Sequence, residues 1–213
     1  MSLNTDFNEK QIEILLVAEN GFAENGFDGT SIRTIAKEAK INVAMVSYYF
    51  GSKEKLLEAL IFYRTKDLRF EMENVSNEDL EPIEKIKKVI DLYIHRINCN
   101  KGIYRILHFE LSKGLKESKV KALDEIRHAN LKSLTSIIEE GQKKGIFRKD
   151  IIIPLIPTTI LGTFFHFHMN KLYFQELLDL NTEKAFDNYI KIQLSKHIQQ
   201  TIIALLTFEI AKN

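Results

Sequence analysis

The chain has 213 residues, 45% hydrophobic and 28% charged, with 30 Lys+Arg against 29 Asp+Glu for a net charge of +1. That composition excludes a disordered chain, and a total near neutrality means that any affinity for a polyanion must come from local placement of charge. One cysteine excludes a disulfide scaffold and a multi-cysteine zinc site, and 3 prolines with 9 glycines are too few for the turns of an all-β protein.

Helical periodicity runs through the chain. Met1 to Phe7 lacks a basic segment followed by an apolar one, so no secretory signal is expected, and a cytoplasmic location follows as the default. Residues 8–25 place Ile12, Leu15, Leu16, Phe22 and Ala23 at helical intervals, and Gly26-Phe27-Asp28-Gly29 breaks the pattern. Thr30 or Ser31 then caps a short helix carrying Ile32, Ile35, Ala36 and Ala39 on one face, and Asn42 caps another from Val43 to Tyr49. Ser52 opens a long helix toward Val75. Pro82 suits the first turn of the next, with Ile83, Ile86, Ile90, Tyr93 and Ile97 inward. Helices follow over about 103–111 and 118–144, the second closed by Gly145. The apolar run 151–165 is shorter than the ~20 residues that span a bilayer and is interrupted by Pro154 and Pro157. It reads as a buried helix continuing to about Leu172, so no membrane partner is expected. A last helix is expected over about 183–210.

The informative stretch is residues 30–50, TSIRTIAKEAKINVAMVSYYF, two short helices joined by a tight turn: the minimal helix-turn-helix. The second helix would expose Asn42, Val43, Ala44, Ser47 and Tyr48, small or hydrogen-bonding residues where a solvated helix would carry Lys and Glu. Such side chains let a helix enter the DNA major groove and touch base edges or thymine methyls. Between Thr30 and Lys55 the chain carries Arg33, Lys37, Lys40, Lys53 and Lys55 against Glu38 and Glu54, a local net charge of +3. Thr30, Tyr48, Tyr49 and Lys53 are residue types that hold phosphates.

Over residues 8–60 the chain resembles the tetracycline-repressor (TetR) family of bacterial transcription regulators. The resemblance lies in Gly26-Phe27, Gly29-Thr30-Ser31, Ile35-Ala36, Ile41-Asn42-Val43, Ser47-Tyr48-Tyr49-Phe50 and Gly51-Ser52-Lys53-Glu54-Lys55-Leu56-Leu57, at these intervals. It implies an all-α fold: a three-helix DNA-binding domain over 1–52, and a helical ligand-binding and dimerisation domain over 53–213 joined to it by a linking helix from about 53 to 75. It implies that Arg33 reaches a base edge or phosphate, that Asn42, Val43, Ala44, Ser47 and Tyr48 lie against the major groove, and that Thr30, Ser31, Tyr49 and Lys53 grip the DNA backbone. Packing roles for Tyr48 and Tyr49 and a solvated Arg33 are the alternative. The family usually has Gly where this chain has Lys40, at a position that tends to be left-handed.

Residues 56–213 show no Gly-rich phosphate loop, nucleophile elbow or paired metal-binding histidines, so neither an enzyme nor a cofactor or metal is expected. His95 and Cys99 share a helix face but supply too few ligands for a metal. The cluster Phe164-Phe165-His166-Phe167-His168-Met169 reads as core or subunit interface, or as the wall of an apolar pocket. In the second case Phe164, Phe165 and His168, with Phe62, Phe70, Tyr104 and His108, line the site of a small-molecule effector of unknown identity. The apolar surplus of the last helices, as in 201–208, points to a homodimer and hence to a near-palindromic operator on double-stranded DNA. The competing readings are a helix-turn-helix DNA-binding factor without small-molecule control, and an all-helical enzyme or lipid carrier.

Overall fold

The computed structural model describes residues 7–112 and 121–208, with the backbone alone for 108–112 and 121–123. The fold is all-helical, and the described residues hold no strand. In chain order the helices are α1 (Glu9–Gly29), α2 (Ile32–Glu38), α3 (Val43–Phe50), α4 (Lys53–Asn77), α5 (Pro82–Cys99), α6 (Lys101–Ser112), α7 (Lys121–Lys143), α8 (Leu155–Met169), α9 (Lys171–Leu177), α10 (Glu183–Tyr189) and α11 (Ser195–Thr207), with a π-helical turn over Ile190–Leu194.

Side chains start most of the early helices. Asn8 and Gln11 form a reciprocal capping box at α1. Ser31 Oγ accepts from Thr34 N at 3.0 Å, Asn42 Oδ1 from Ala44 N at 2.9 Å and Ser52 Oγ from Lys55 N at 3.2 Å, opening α2, α3 and α4. Gly26 leaves the helical region within α1 (φ 75°), at the break the sequence marks.

The chain divides into two compact units. One comprises Met1–Lys66 with Asn100–Ile126, the other Asp67–Cys99 with Arg127–Asn213. The core of the first gathers Ile14, Leu15 and Phe22 of α1, Ile35 and Ala36 of α2, Val46 and Phe50 of α3, Leu56 and Leu60 of α4, and Ile103 and Ile106 of α6. This unit is therefore larger than its three N-terminal helices.

In the second unit α5 packs against α8 and α11. It buries Ile86, Ile90, Tyr93 and Ile97, as expected from the sequence, together with Val89 and Ile94, while Ile83 is half-buried. Lys85, also buried, donates to Ser76 O at 3.1 Å and to Glu140 of α7 at 2.7 Å. Arg96 holds α4 to α5 through Glu71, Nε at 3.1 Å and Nη2 at 2.5 Å.

Two long C-terminal helices expected from the sequence are each interrupted. The apolar run does not form one helix to Leu172: α8 starts only at Leu155, where Pro154 and Pro157 fall at the cap and within the first turn, whose N–H groups have no helical partner anyway. It stops at Asn170, whose Nδ2 donates to His166 O at 2.8 Å and whose backbone (φ −97°, ψ 33°) turns the chain into the separate α9. The last helix passes through the π turn. Its buried residues Phe186, Ile190, Leu194, Ile198, Ile202 and Leu206 recur every fourth position. A regular α-helix would rotate that stripe by about 40° at each step, and one wider turn takes up part of the drift. The expected ends at Ser118 and Ile210 lie outside the described residues.

Candidate nucleic-acid interface

The turn between α2 and α3 is a two-bond helix stop. Lys40 N donates to Lys37 O at 3.2 Å and Ile41 N to Ala36 O at 3.0 Å, with Lys40 left-handed at φ 52°. This is the conformation the sequence anticipates for the position where the family usually has Gly. Beneath it Ile35, Ala36, Ala39 and Val46 are each 1% exposed, so α2 and α3 meet on small or branched side chains. Gly51, at φ 78°, then turns the chain from α3 to Ser52 and α4 without a side-chain clash.

This scaffold presents α3 outward. Tyr48 is 84% exposed, its ring edge-on to Tyr49 at 5.4 Å. Asn42, Val43, Ala44, Met45 and Ser47 are also exposed. Tyr49 is half-buried and packs on the core of the first unit. Met45, not among the residues expected from the sequence, lies at i, i+3 from Tyr48, which places both on one helical side. Arg33, Lys37, Lys40 and Lys55 are exposed around the same elements. Ser31, exposed, has its hydroxyl engaged with Thr34, 2.8 Å from that residue's Oγ1 as well as capping its N–H.

Two of the expected backbone grips are turned inward. Thr30 is 2% exposed, and its hydroxyl lies 2.8 Å from Gly21 O and 2.9 Å from Gly26 O, bracing the break in α1. A Cβ at Gly21 would sit 2.8 Å from Thr30 Cγ2, so this approach requires glycine. Lys53 donates to Phe27 O at 2.9 Å and Thr30 O at 3.2 Å, and its ammonium stands 4.4 Å from the centre of the Phe27 ring. It ties the first turn of α4 to the end of α1.

A buried carboxylate joins α1, α4 and α6 in the same unit. Glu19, 5% exposed, accepts from Arg64 Nε at 2.8 Å and Nη2 at 2.5 Å through one oxygen, and from Ile103 N at 3.1 Å through the other. Ile103 lies in the first turn of α6, where backbone N–H groups are unpaired and a negative charge is favoured.

Comparison with known proteins agrees with this geometry. The family model for the bacterial regulatory proteins of the tetR family matches residues 14–60, and that of the tetracyclin repressor-like C-terminal domain matches residues 82–191. The chain belongs to the tetR family. Among its relatives, the HTH-type transcriptional repressor NicS of Pseudomonas putida is 28% identical over 167 residues, covering 74% of this chain and 75% of that one. The fatty acid metabolism regulator protein of Bacillus subtilis is 26% identical over 154 residues, covering 72% and 79%. The fold matches that of a tetR-family regulatory protein from Rhodococcus RHA1, with TM-score 0.72, 18% identity and 94% and 98% coverage. It also matches the ketosteroid transcriptional regulator KstR2 of Mycobacterium tuberculosis, with TM-score 0.68, 17% identity and 96% and 98% coverage. This tetR-family chain is accordingly a DNA-binding transcriptional regulator, as its relatives are. Among the described residues no helix is long and apolar enough to cross a membrane.

The residues expected around an effector belong to both units. Phe62, in the first unit, is half-buried with its ring edge-on to Phe7 at 6.3 Å, and Tyr104 packs on that unit's core. Phe70, in the second unit, is 66% exposed. Phe164 is buried, stacked on His168 at 5.9 Å and edge-on to Phe165 at 5.8 Å. The side chain of His108 lies outside the described residues. A cavity of about 820 Å³ in the second unit is lined by none of these seven. Its wall holds Phe167, Phe174 and Tyr189, with His166, Lys196 and His197.

Proposed function

We propose that this regulator is a one-component repressor that binds a near-palindromic operator as a homodimer and is released by a small, largely apolar ligand. The outward face of α3, neutral and uncharged within a ring of cations, carries the DNA-binding part of the reading. Arg33, Ser31, Asn42, Val43, Ala44, Met45, Ser47, Tyr48 and Tyr49 form the DNA surface, with Thr30 and Lys53 holding its shape from within. A dimer is supported by large apolar side chains exposed on the second unit: Leu155 (54%), Ile192 (53%), Leu205 (44%) and Phe208 (67%). Two-fold symmetry would set the reading helices about 34–36 Å or a multiple of one DNA turn apart.

An apolar effector is supported by the aromatic wall of the cavity in the second unit, where Phe167 stacks on Phe174 at 4.5 Å and on Tyr189 at 5.6 Å. It is also supported by the names of two similar proteins, a fatty acid metabolism regulator and a ketosteroid regulator. The test is a gel-shift titration of the full chain on DNA selected from random duplex, repeated with a panel of acyl, steroid and aromatic compounds. Binding of an inverted-repeat site by a dimer, and its release by a panel member, is the expected result. A monomer by sedimentation at micromolar concentration removes the palindrome, and the absence of any selected site removes the DNA-binding reading.

A further inference from the structure

We infer that the reading helix recognises thymine 5-methyl groups in the major groove through Val43, Ala44 and Met45, so that apolar contact sets the operator sequence at those positions. The inference rests on the DNA-binding reading above and adds what chemistry on the DNA is read.

Each base presents a different edge in the major groove. Guanine is met by Arg or Lys, adenine by Asn or Gln, cytosine by Asp or Glu, and thymine offers a methyl group to apolar side chains. The residues of α3, VAMVSYYF, include none of those six polar or charged partners. The one carboxamide at its start belongs to Asn42, whose Oδ1 is engaged by Ala44 N at 2.9 Å. A bidentate contact to adenine needs that oxygen as well as the amide nitrogen, so it would compete with the bond that starts the helix.

The N-terminal residues of a reading helix are the ones that approach base edges. Here they are Val43 (39% exposed), Ala44 and Met45 (37% exposed), three apolar side chains left facing solvent on an eight-residue helix. Val46 points the other way, at 1% exposure, so the outward set is not surplus core. Ser47 and Tyr48 lie further along, and their hydroxyls suit phosphate oxygens as well as bases. Guanine contacts fall to the cations outside α3, with Arg33 on α2 among the exposed ones.

The experiment removes methyl groups from the DNA and leaves base pairing intact. Sites are selected from random duplex with the full-length protein, and one of them is remade with each thymine in turn replaced by deoxyuridine. Each methyl under Val43, Ala44 or Met45 should be worth about fourfold in affinity, and the symmetric pair in two half-sites about sixteenfold. Val43→Ala and Met45→Ala, both at exposed positions, should shrink the uracil effect at the same nucleotides, and thymines outside the half-sites should be silent. A selected site that tolerates uracil everywhere overturns the inference and leaves the DNA-binding reading standing. So does a uracil effect that neither variant alters. Failure to select any site overturns both.

Discussion

Lys53 offers a sharp choice between two roles, because phosphate contact and scaffold predict opposite results. Its ammonium meets the carbonyls of Phe27 and Thr30 at 2.9 and 3.2 Å and lies over the Phe27 ring. Hydrogen bonds from a charged donor contribute about 1.5–3 kcal/mol each, and a cation over a ring about 0.5–1 kcal/mol at a part-exposed site. Lys53 is half-buried, so the low end of each range applies, and Lys53→Ala should cost about 3.5 kcal/mol. For a chain of this size that is a fall of roughly 7–14 °C in Tm. Thermal unfolding followed by circular dichroism at matched protein concentration measures it. Lys53→Met, which keeps the aliphatic stem over the ring, isolates the charge. A lysine that served only a phosphate would instead leave stability within about 0.5 kcal/mol. It would also lower the salt dependence of DNA binding by about one phosphate contact. A variant that melts with the wild type and shows the shallower salt slope would refute the scaffold role.

Other substitutions test neighbouring claims. Tyr48→Ala, at 84% exposure, should leave Tm unchanged but weaken operator binding about tenfold, the scale of one lost hydroxyl contact; equal affinity in a gel shift would remove Tyr48 from the interface. Lys40→Gly should raise stability by about 0.5–1 kcal/mol, since φ 52° is strained for lysine and not for glycine; an unchanged or lower melting point would contradict this. Glu19→Ala removes the partner of a partly buried Arg64 and of Ile103 N, and should cost about 3–5 kcal/mol. A loss under 1 kcal/mol by urea titration would show that the junction is dispensable. The Glu140 carboxyl is held below the ordinary glutamate range by its hydrogen bonds to Lys85 and then Lys144. Its contribution is therefore present above the unfolded-state value and is lost as pH falls through the lowered folded value. Glu140→Gln should flatten the acid limb of the stability profile, and an unaltered limb would argue against that pairing.

Local signals were legible in the sequence where one residue acts on its neighbours. Asn42, Ser52 and Ser31 cap the helices they precede, Pro82 opens α5, and Lys40 takes the left-handed turn. Each depends on backbone groups within three or four positions. The partners that Thr30 and Lys53 take in this fold could not be read locally, because they lie elsewhere in the chain: Thr30 reaches back nine residues to Gly21, and Lys53 reaches 26 to Phe27. A threonine and a lysine flanking a helix-turn-helix read as phosphate ligands, and only the fold brings the carbonyls they meet beside them. Glu19 is a similar case, since nothing near it in sequence announces Arg64 or the first turn of α6.

The aromatic cluster at 164–168 shows why composition stopped short of a site. Five bulky residues in succession on a helix cannot share one face, because each step turns the side chain by about 100°. Phe164 and His168, four apart, stack on each other on one side. His166 and Phe167 lie elsewhere around the helix, where Phe174 meets their rings at 6.2 and 4.5 Å and the cavity opens. The turn at Asn170 ends α8 and starts α9, whose Phe174 meets the side that carries His166 and Phe167. From the sequence alone the helix is expected to run through Asn170 to about Leu172. A helix running to Leu172 does not place Phe174 beside Phe167, and the cavity they line holds none of the seven residues expected around an effector.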